Sequence, residues 1–414
     1  MSAGQLRARL AAVLSDPEFA HLGRGLKAAL RIRCDDAAIV ITLDDGAPHF
    51  SDDTGADIEL AASAGDWARV LAKPPPPTFH AFTALQLANP AFTLSGDPLL
   101  IAQARPLLER LFERLAASPV ATAPAVARDL GRIRGGYHTI HCGGSAYEVF
   151  VETAGDGTPV LLLHTAGADA RQFQAQLADL ELTKAWRLIA PDLPFHGRSM
   201  PPRDWDGGPY RLSSQQYLGW CVALIEQVVG EPALIAGGSM GAAMALVMAA
   251  ERPDLVRGVV AIEPPFRSKG RRNPYQHHVG VHGGLHNASF VRGLMSPTSP
   301  EADRRRAMWI YSQGAPGIYT GDLAFYSDEF DGAAIAPRID TGRTPVALLC
   351  GSYDYSATPE DGRRLQALMP GARLDVMDGL GHFPMCEHPD LFRPFFLRAL
   401  AHAAGRTTTT AGGV

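Results

Sequence analysis

The sequence predicts an α/β protein in two parts: a small α+β unit, then a larger domain on a mostly parallel central sheet flanked by helices. Three observations predict it. From about residue 137 onward, apolar runs of strand length alternate with stretches of helix length, the order of a parallel α/β sheet. Before about residue 117, several runs alternate apolar and polar in the two-residue period of half-exposed strands. Between them, 118–136 shifts to Ala, Pro and Arg and reads as a linker. A chain of 414 residues is long enough for two domains.

Within the first part (1–117), residues 5–22 predict one amphipathic helix. Lys27–Cys34 and Ala37–Leu43 predict strands, with Asp44-Asp45-Gly46 as a hairpin signal to the next one. Asp57–Ser63 predicts another strand. A short helix around Trp67 ends at Pro74–Pro77, which cannot continue it. Asp97 and Pro98 have the residue types of an N-cap and a first helical position, and Leu100, Ala104, Leu107, Leu108, Leu111, Phe112 and Leu115 form one stripe behind them.

In the second part (137–404), Tyr137–His141 and Ala146–Thr153 predict two strands, and Val160–Leu163 a fully buried central one. A helix over 171–180 and a strand Trp186–Ala190 follow. Ser213–Val229 predicts a helix with Gln216 three residues after its Ser cap and Gly230 as its stop. Val256–Ile262, Pro345–Leu349 and Arg373–Met377 complete the strands, with helices opening at Thr358-Pro359 and at Leu391. Residues 266–336, rich in Gly, Pro, His, Arg and aromatics, break the alternation and predict an inserted cap. The tail 405–414 has nothing to bury and is expected to be disordered.

The composition, 46% hydrophobic and 20% charged, is that of an ordinary soluble globular protein. A net charge of −5 gives no electrostatic reason to expect nucleic acid or an anionic membrane as partner. The start lacks an apolar core behind a basic cluster, so no signal peptide is expected. Five cysteines, scattered and without a C-x-x-C pair, suit a reducing cytoplasm.

The chemistry is concentrated at Gly237-Gly238-Ser239-Met240-Gly241. Ala-Leu-Ile before it suits a strand, and the small apolar residues after it suit a helix, the context in which a serine is pushed out on a strained turn. About eighteen uncharged residues run from Ala233 to Ala250, near the lower limit of a membrane span. Three glycines and a serine in the middle argue against one.

Four further loops follow predicted strands: His164-Thr165-Ala166-Gly167, the run P-D-L-P-F-H-G-R-S at 191–199, and the two loops of a late pair, Asp354 in G-S-Y-D-Y-S-A-T-P with His382 in G-L-G-H-F-P. In this order these pieces make residues from about 130 to 404 resemble an α/β-hydrolase-fold domain with its cap after the sixth strand. The resemblance implies Ser239 as nucleophile, His382 as the base that takes and returns its proton, and Asp354 as the acid that orients the imidazole. Glu263, at the end of the strand after the serine, is the alternative acid. The rival histidines His196, His277, His278, His282, His286 and His388 lack the G-x-G-H context. The oxyanion donors implied are the Met240 and Ala166 N–H groups. Thr165 stands where glycine is common, so its hydroxyl is a further candidate donor.

His278, His282 and His286 are spaced by four, but the glycines at 280, 283 and 284 argue against a helix and no carboxylate or cysteine completes a metal set. No metal or cofactor is expected. His164, His282, Tyr311 and Tyr319 are candidate substrate contacts, with Trp309 and Tyr326 as further cap aromatics.

The reading is a serine hydrolase acting through an acyl-enzyme on an ester, thioester or lactone of a small apolar or aromatic molecule. Hydrolysis of a carbon–carbon bond by the same residues is the alternative chemistry. A non-catalytic carrier on the same scaffold is the alternative class. In the first part, I-E-L-A-A-S-A-G-D-W followed by L-S-G-D-P and a long helix resembles a sterol-carrier-protein-2-like domain. That resemblance implies an apolar tunnel or a dimerisation surface, and leaves a homodimer open.

Overall fold

The computed structural model describes residues 2–268 and 272–405. The chain forms two compact units, Met1–Ala121 with Pro274–Pro300, and Thr122–Asn273 with Glu301–Val414. The expected disordered tail lies outside the described residues, apart from Gly405.

The first unit carries a five-stranded sheet of β1 (Lys27–Cys34), β2 (Ala37–Asp44), β3 (His49–Ser51), β4 (Ile58–Ala62) and β5 (Thr93–Gly96), in the order β3-β2-β1-β4-β5. The β1–β2 hairpin is antiparallel, and β4 joins β1 in parallel. The single helix expected over 5–22 is two helices, Ala3–Leu14 and Pro17–Leu22. Pro17 has no N–H to continue the first, and the Asp16 carboxylate caps the second by accepting from Phe19 N–H at 2.9 Å. Helix Phe82–Ala88 and strand β5 fall in a stretch to which the sequence pattern assigned no element.

Asp97 caps helix Pro98–Leu115, whose apolar stripe (Leu107, Leu108, Leu111, Phe112) is at most 1% exposed. Trp67 stacks on Phe112 with ring centroids 5.9 Å apart, and its indole N–H donates to Arg33 O at 2.7 Å. The segment 274–300, expected as part of the cap, belongs to this unit. Its helix Gly283–Leu294 begins directly after His282, so the glycines at 283 and 284 open a helix instead of preventing one. That helix packs on Pro98–Leu115 at Gly293, where a Cβ would lie 2.8 Å from Glu109 Oε1. Arg292 pairs with Glu18 and approaches Glu113 at 3.5 Å.

The second unit is organised by an eight-stranded sheet: β6 (Arg134–Cys142), β7 (Ser145–Ala154), β8 (Thr158–Leu163), β9 (Trp186–Pro191), β10 (Ala233–Gly238), β11 (Val256–Ile262), β12 (Val346–Gly351) and β13 (Arg373–Met377). The order is β13-β12-β11-β10-β8-β9-β7-β6, antiparallel among β6, β7 and β9 and parallel elsewhere. From β8 the chain moves first to one side and then to the other, so the crevice at the carboxyl ends of β8 and β10 is the switch point where α/β sheets bind ligands. Leu161–Leu163 and Ala233–Ala236 are fully buried, as expected of strands covered on both faces. Helix Met240–Glu251 is buried from Met240 to Ala249, so its uncharged run is core packing.

The helix expected over 171–180 is a 3₁₀ turn, Ala170–Phe173, followed by one α-turn, Gln174–Leu177. The closing helix starts at Pro389, two residues before its expected start. Between β11 and β12 this unit keeps helices Glu301–Ser312 and Ile318–Leu323, which runs on into a wide π-type turn, Ala324–Glu329. Among the described residues, no helix is long and apolar enough to cross a membrane.

Candidate active site

β10 ends at Gly238 and the helix begins at Met240, leaving Ser239 alone between them at φ 51° and ψ −105°. A non-glycine residue in that region is strained and persists only where its surroundings hold it. Here Ser239 N–H donates to Ile262 O at 2.8 Å, and Ser239 O accepts from Ala243 N–H at 3.0 Å. The glycines are required sterically: a Cβ at Gly241 would lie 2.3 Å from Leu163 O, and one at Gly237 2.2 Å from the Gly241 carbonyl carbon.

His382 follows β13 and Asp354 follows β12, and both side chains reach the serine's edge of the sheet. His382 Nε2 lies 2.9 Å from Ser239 Oγ, and Nδ1 lies 2.5 Å from Asp354 Oδ2. All three residues are 2–3% exposed. Nδ1 has only a carboxylate to bond to, so it carries the proton and leaves Nε2 as the acceptor for the serine hydroxyl. Burial by itself would raise the Asp354 pKa. The charge and hydrogen bond of His382, with the Ser356 and Ala357 N–H groups at 2.7 and 3.1 Å, outweigh it and hold the carboxyl below its ordinary value.

Glu263, the alternative acid, does not reach His382. It ends β11 at φ 51°, fully buried, with both oxygens accepting from Gly351 N–H at 2.8 and 2.9 Å. Its carboxyl neighbours are Asp354, to which it hydrogen-bonds, and Glu387. Burial, then the Asp354 charge, push its pKa well above the ordinary value, so it is a neutral acid hydrogen-bonded behind Asp354.

The loop after β8 presents Ala166, buried at the switch point, whose N–H has no acceptor among the described residues. Met240 N–H, first in its helix, has no intrahelical acceptor and adds the positive end of the helix dipole. Thr165 is otherwise engaged. Its N–H donates to Gln172 Oε1 at 3.0 Å, and its hydroxyl bonds Gln172 and Tyr311, so it is not a free donor.

His164 is also no surface contact. It is fully buried, Nδ1 donates to Thr165 O at 2.9 Å and Nε2 accepts from Leu193 N–H at 3.2 Å. Burial, with His196 adding to it, lowers its pKa to about 4 and keeps it neutral. Tyr311 bonds Thr165 and, at 3.0 Å, Gln172, while Tyr319 packs over Gly167. His282 is exposed and caps its helix in the first unit, accepting from Leu285 N–H at 3.2 Å. His286 is buried in that unit too, and His278 accepts from Gly280 N–H. Among the described residues no cluster fit for a metal ion occurs. Trp309 is exposed.

Of two further residues at the site, Asp322 went unassigned from sequence and Tyr326 was named there only as a cap aromatic. Asp322, on helix Ile318–Leu323 and fully buried, accepts from Gly167 N–H at 2.7 Å, His196 Nε2 at 2.9 Å and Tyr210 O–H at 2.9 Å. Burial lowers the His196 pKa, but the charge and hydrogen bond of Asp322 more than reverse this and raise it above its ordinary value. Tyr326, 1% exposed, places its hydroxyl 3.0 Å from Ser239 Oγ.

The comparisons agree with this architecture. A family model described as "Alpha/beta hydrolase family" matches residues 160–394. A pimeloyl-(acyl-carrier protein) methyl ester esterase of Neisseria meningitidis is 26% identical over 269 residues, covering 60% of this chain and 80% of that protein. A thermophilic esterase from Thermogutta terrifontis, 19% identical, superposes with a TM-score of 0.55 over 65% of this chain and 99% of its own. The enol-lactonase from Burkholderia xenovorans LB400, 20% identical, gives 0.54 over 64% and 100%. These two likenesses are of fold.

Proposed function

The chain belongs to the alpha/beta hydrolase family and is an enzyme of the hydrolase type, and from that premise we propose that it is a serine hydrolase cleaving carboxylic esters or lactones through an acyl-enzyme. One observation carries the proposal: His382 bridges Ser239 Oγ at 2.9 Å and Asp354 Oδ2 at 2.5 Å from opposite ring nitrogens. Ser239 attacks the carbonyl carbon as its proton passes to Nε2, and Asp354 stabilises the imidazolium that results. Ala166 and Met240 N–H groups receive the oxyanion, a contribution of about 10²–10³ per donor. The tetrahedral intermediate collapses, the leaving oxygen takes the proton from Nε2, and water repeats the sequence on the acyl-enzyme.

Esters and lactones are favoured because the relatives named above are a methyl ester esterase, an esterase and an enol-lactonase. For the first unit we carry the sterol-carrier-like reading forward, supported by its five-stranded sheet and long closing helix, with no catalytic role. The test is turnover of short-chain esters and lactones by wild type and two variants. Ser239→Ala and His382→Ala should each lower kcat/KM by about 10⁴ or more. Retained turnover in either would remove the proposal.

A further inference from the structure

Ser239 Oγ has two neighbours where the proposed mechanism uses one. Besides His382 Nε2, the hydroxyl of Tyr326 lies 3.0 Å away, on a side chain 1% exposed. The serine has a single proton. Ser239 Oγ–H reaches two acceptors, His382 Nε2 at 2.9 Å and the Tyr326 hydroxyl oxygen at 3.0 Å; once that proton passes to Nε2, the phenol stands beside an oxygen that has none.

Its backbone points the same way. Tyr326 lies in the π-type turn Ala324–Glu329, closed by Phe330 N–H donating to Phe325 O at 2.9 Å. Such wide turns are rare and gather at functional sites, because the extra residue per turn re-aims the side chains it carries. One turn earlier the same segment holds Asp322, which binds Gly167 N–H beside the proposed oxyanion donor Ala166. The segment therefore grips the loop after β8 at one point and touches the nucleophile at another.

We propose that Tyr326 is a further catalytic residue, a phenol that donates a hydrogen bond to the leaving oxygen of the substrate; this deepens the serine hydrolase reading and rests on it. As Oγ bonds to the carbonyl carbon, its proton moves to His382 Nε2 and the carbonyl π pair becomes the oxyanion. Three oxygens then surround one carbon. The oxyanion faces the Ala166 and Met240 amides, and Oγ, now part of an ester, is a poor acceptor. The leaving oxygen is then an acceptor for the phenol that lies beside Oγ. When the carbon–oxygen bond breaks, that oxygen takes the bond's electron pair and the proton from Nε2. Tyr326 keeps its own proton and lowers the charge the leaving oxygen must carry.

The prediction is a dependence on the leaving group. Tyr326→Phe should lower kcat/KM for an alkyl ester by about 10- to 100-fold, the loss of one aimed donor. For the p-nitrophenyl ester of the same acid, whose leaving group departs unaided, the fall should stay under about threefold. Incorporating 3-fluorotyrosine at position 326 keeps the shape and strengthens the donor, so the alkyl-to-nitrophenyl ratio should shift the opposite way. Equal losses on both esters, or an unchanged ratio in the fluorinated protein, would overturn the role of Tyr326. Ser239→Ala is measured alongside. If it retains activity, the serine reading itself fails; if it is inactive while the ratio does not move, only the proposal for Tyr326 fails.

Discussion

Two carboxyl groups lie within the same buried pocket behind His382, and their environments drive them apart. Asp354 accepts from His382 and two backbone amides and is held ionised; Glu263 is buried against that charge and is held neutral. Glu263→Gln, which keeps a donor and has no charge, should leave kcat/KM within a few-fold of wild type. Asp354→Asn should lower it by about 10⁴, because an amide cannot hold the tautomer or stabilise the imidazolium. The pH dependence of stability follows from the raised Glu263 pKa. Above its unfolded value, 4.5, the unfolded chain releases this proton while the folded chain keeps it. Stability contributed by the neutral acid is therefore full below that pH and is lost as the pH rises. Denaturant midpoints across pH should fall less steeply for Glu263→Gln than for wild type; parallel curves would contradict a neutral Glu263.

At the scale of elements, a short segment of the insertion disciplines the loop after β8. Asp322 binds Gly167 N–H and also bonds His196 from the loop after β9. Asp322→Asn should lower kcat by about tenfold or more, short of the 10²–10³ lost with a whole oxyanion donor, while KM changes less. Equal changes in both would mean that Asp322 shapes substrate binding. The strand-and-elbow part of this arrangement was legible in the sequence. Val160–Leu163 and Ala233–Ile235 are apolar runs, and the glycines around Ser239 have one steric reading. The Asp322 contacts were not legible. A lone aspartate beside Leu323 and Ala324 carries no periodic signal, and its three partners come from loops separated along the chain. The break at Asp16-Pro17 was visible as residue types, yet the apolar stripe on both sides of it read as continuous.

At the scale of the molecule, the insertion after β11 is shared between two compact units. Sequence composition marked 266–336 as one block, because its Gly, Pro and aromatic content is uniform. What divides it is tertiary: helix Gly283–Leu294 packs on Pro98–Leu115, and the pairing of Arg292 with Glu18 joins residues far apart in the chain. No local pattern encodes that pairing. Arg292 is 2% exposed at its side chain and shares Glu18 and Glu113 with Arg110, so removing its charge takes one of two cations from this cluster. Arg292→Met should cost the first unit about 1–3 kcal/mol and raise amide hydrogen exchange across Gly283–Leu294. Unchanged exchange there would show that apolar packing alone holds the segment.

The central claim is that Ser239 is made nucleophilic by His382. A fluorophosphonate probe, followed by mass spectrometry of the digested protein, tests it most directly. The account predicts one adduct, on the peptide carrying Ser239, formed by wild type and absent from His382→Ala. A folded protein that stays unlabelled, or that carries the adduct on another serine, would contradict it.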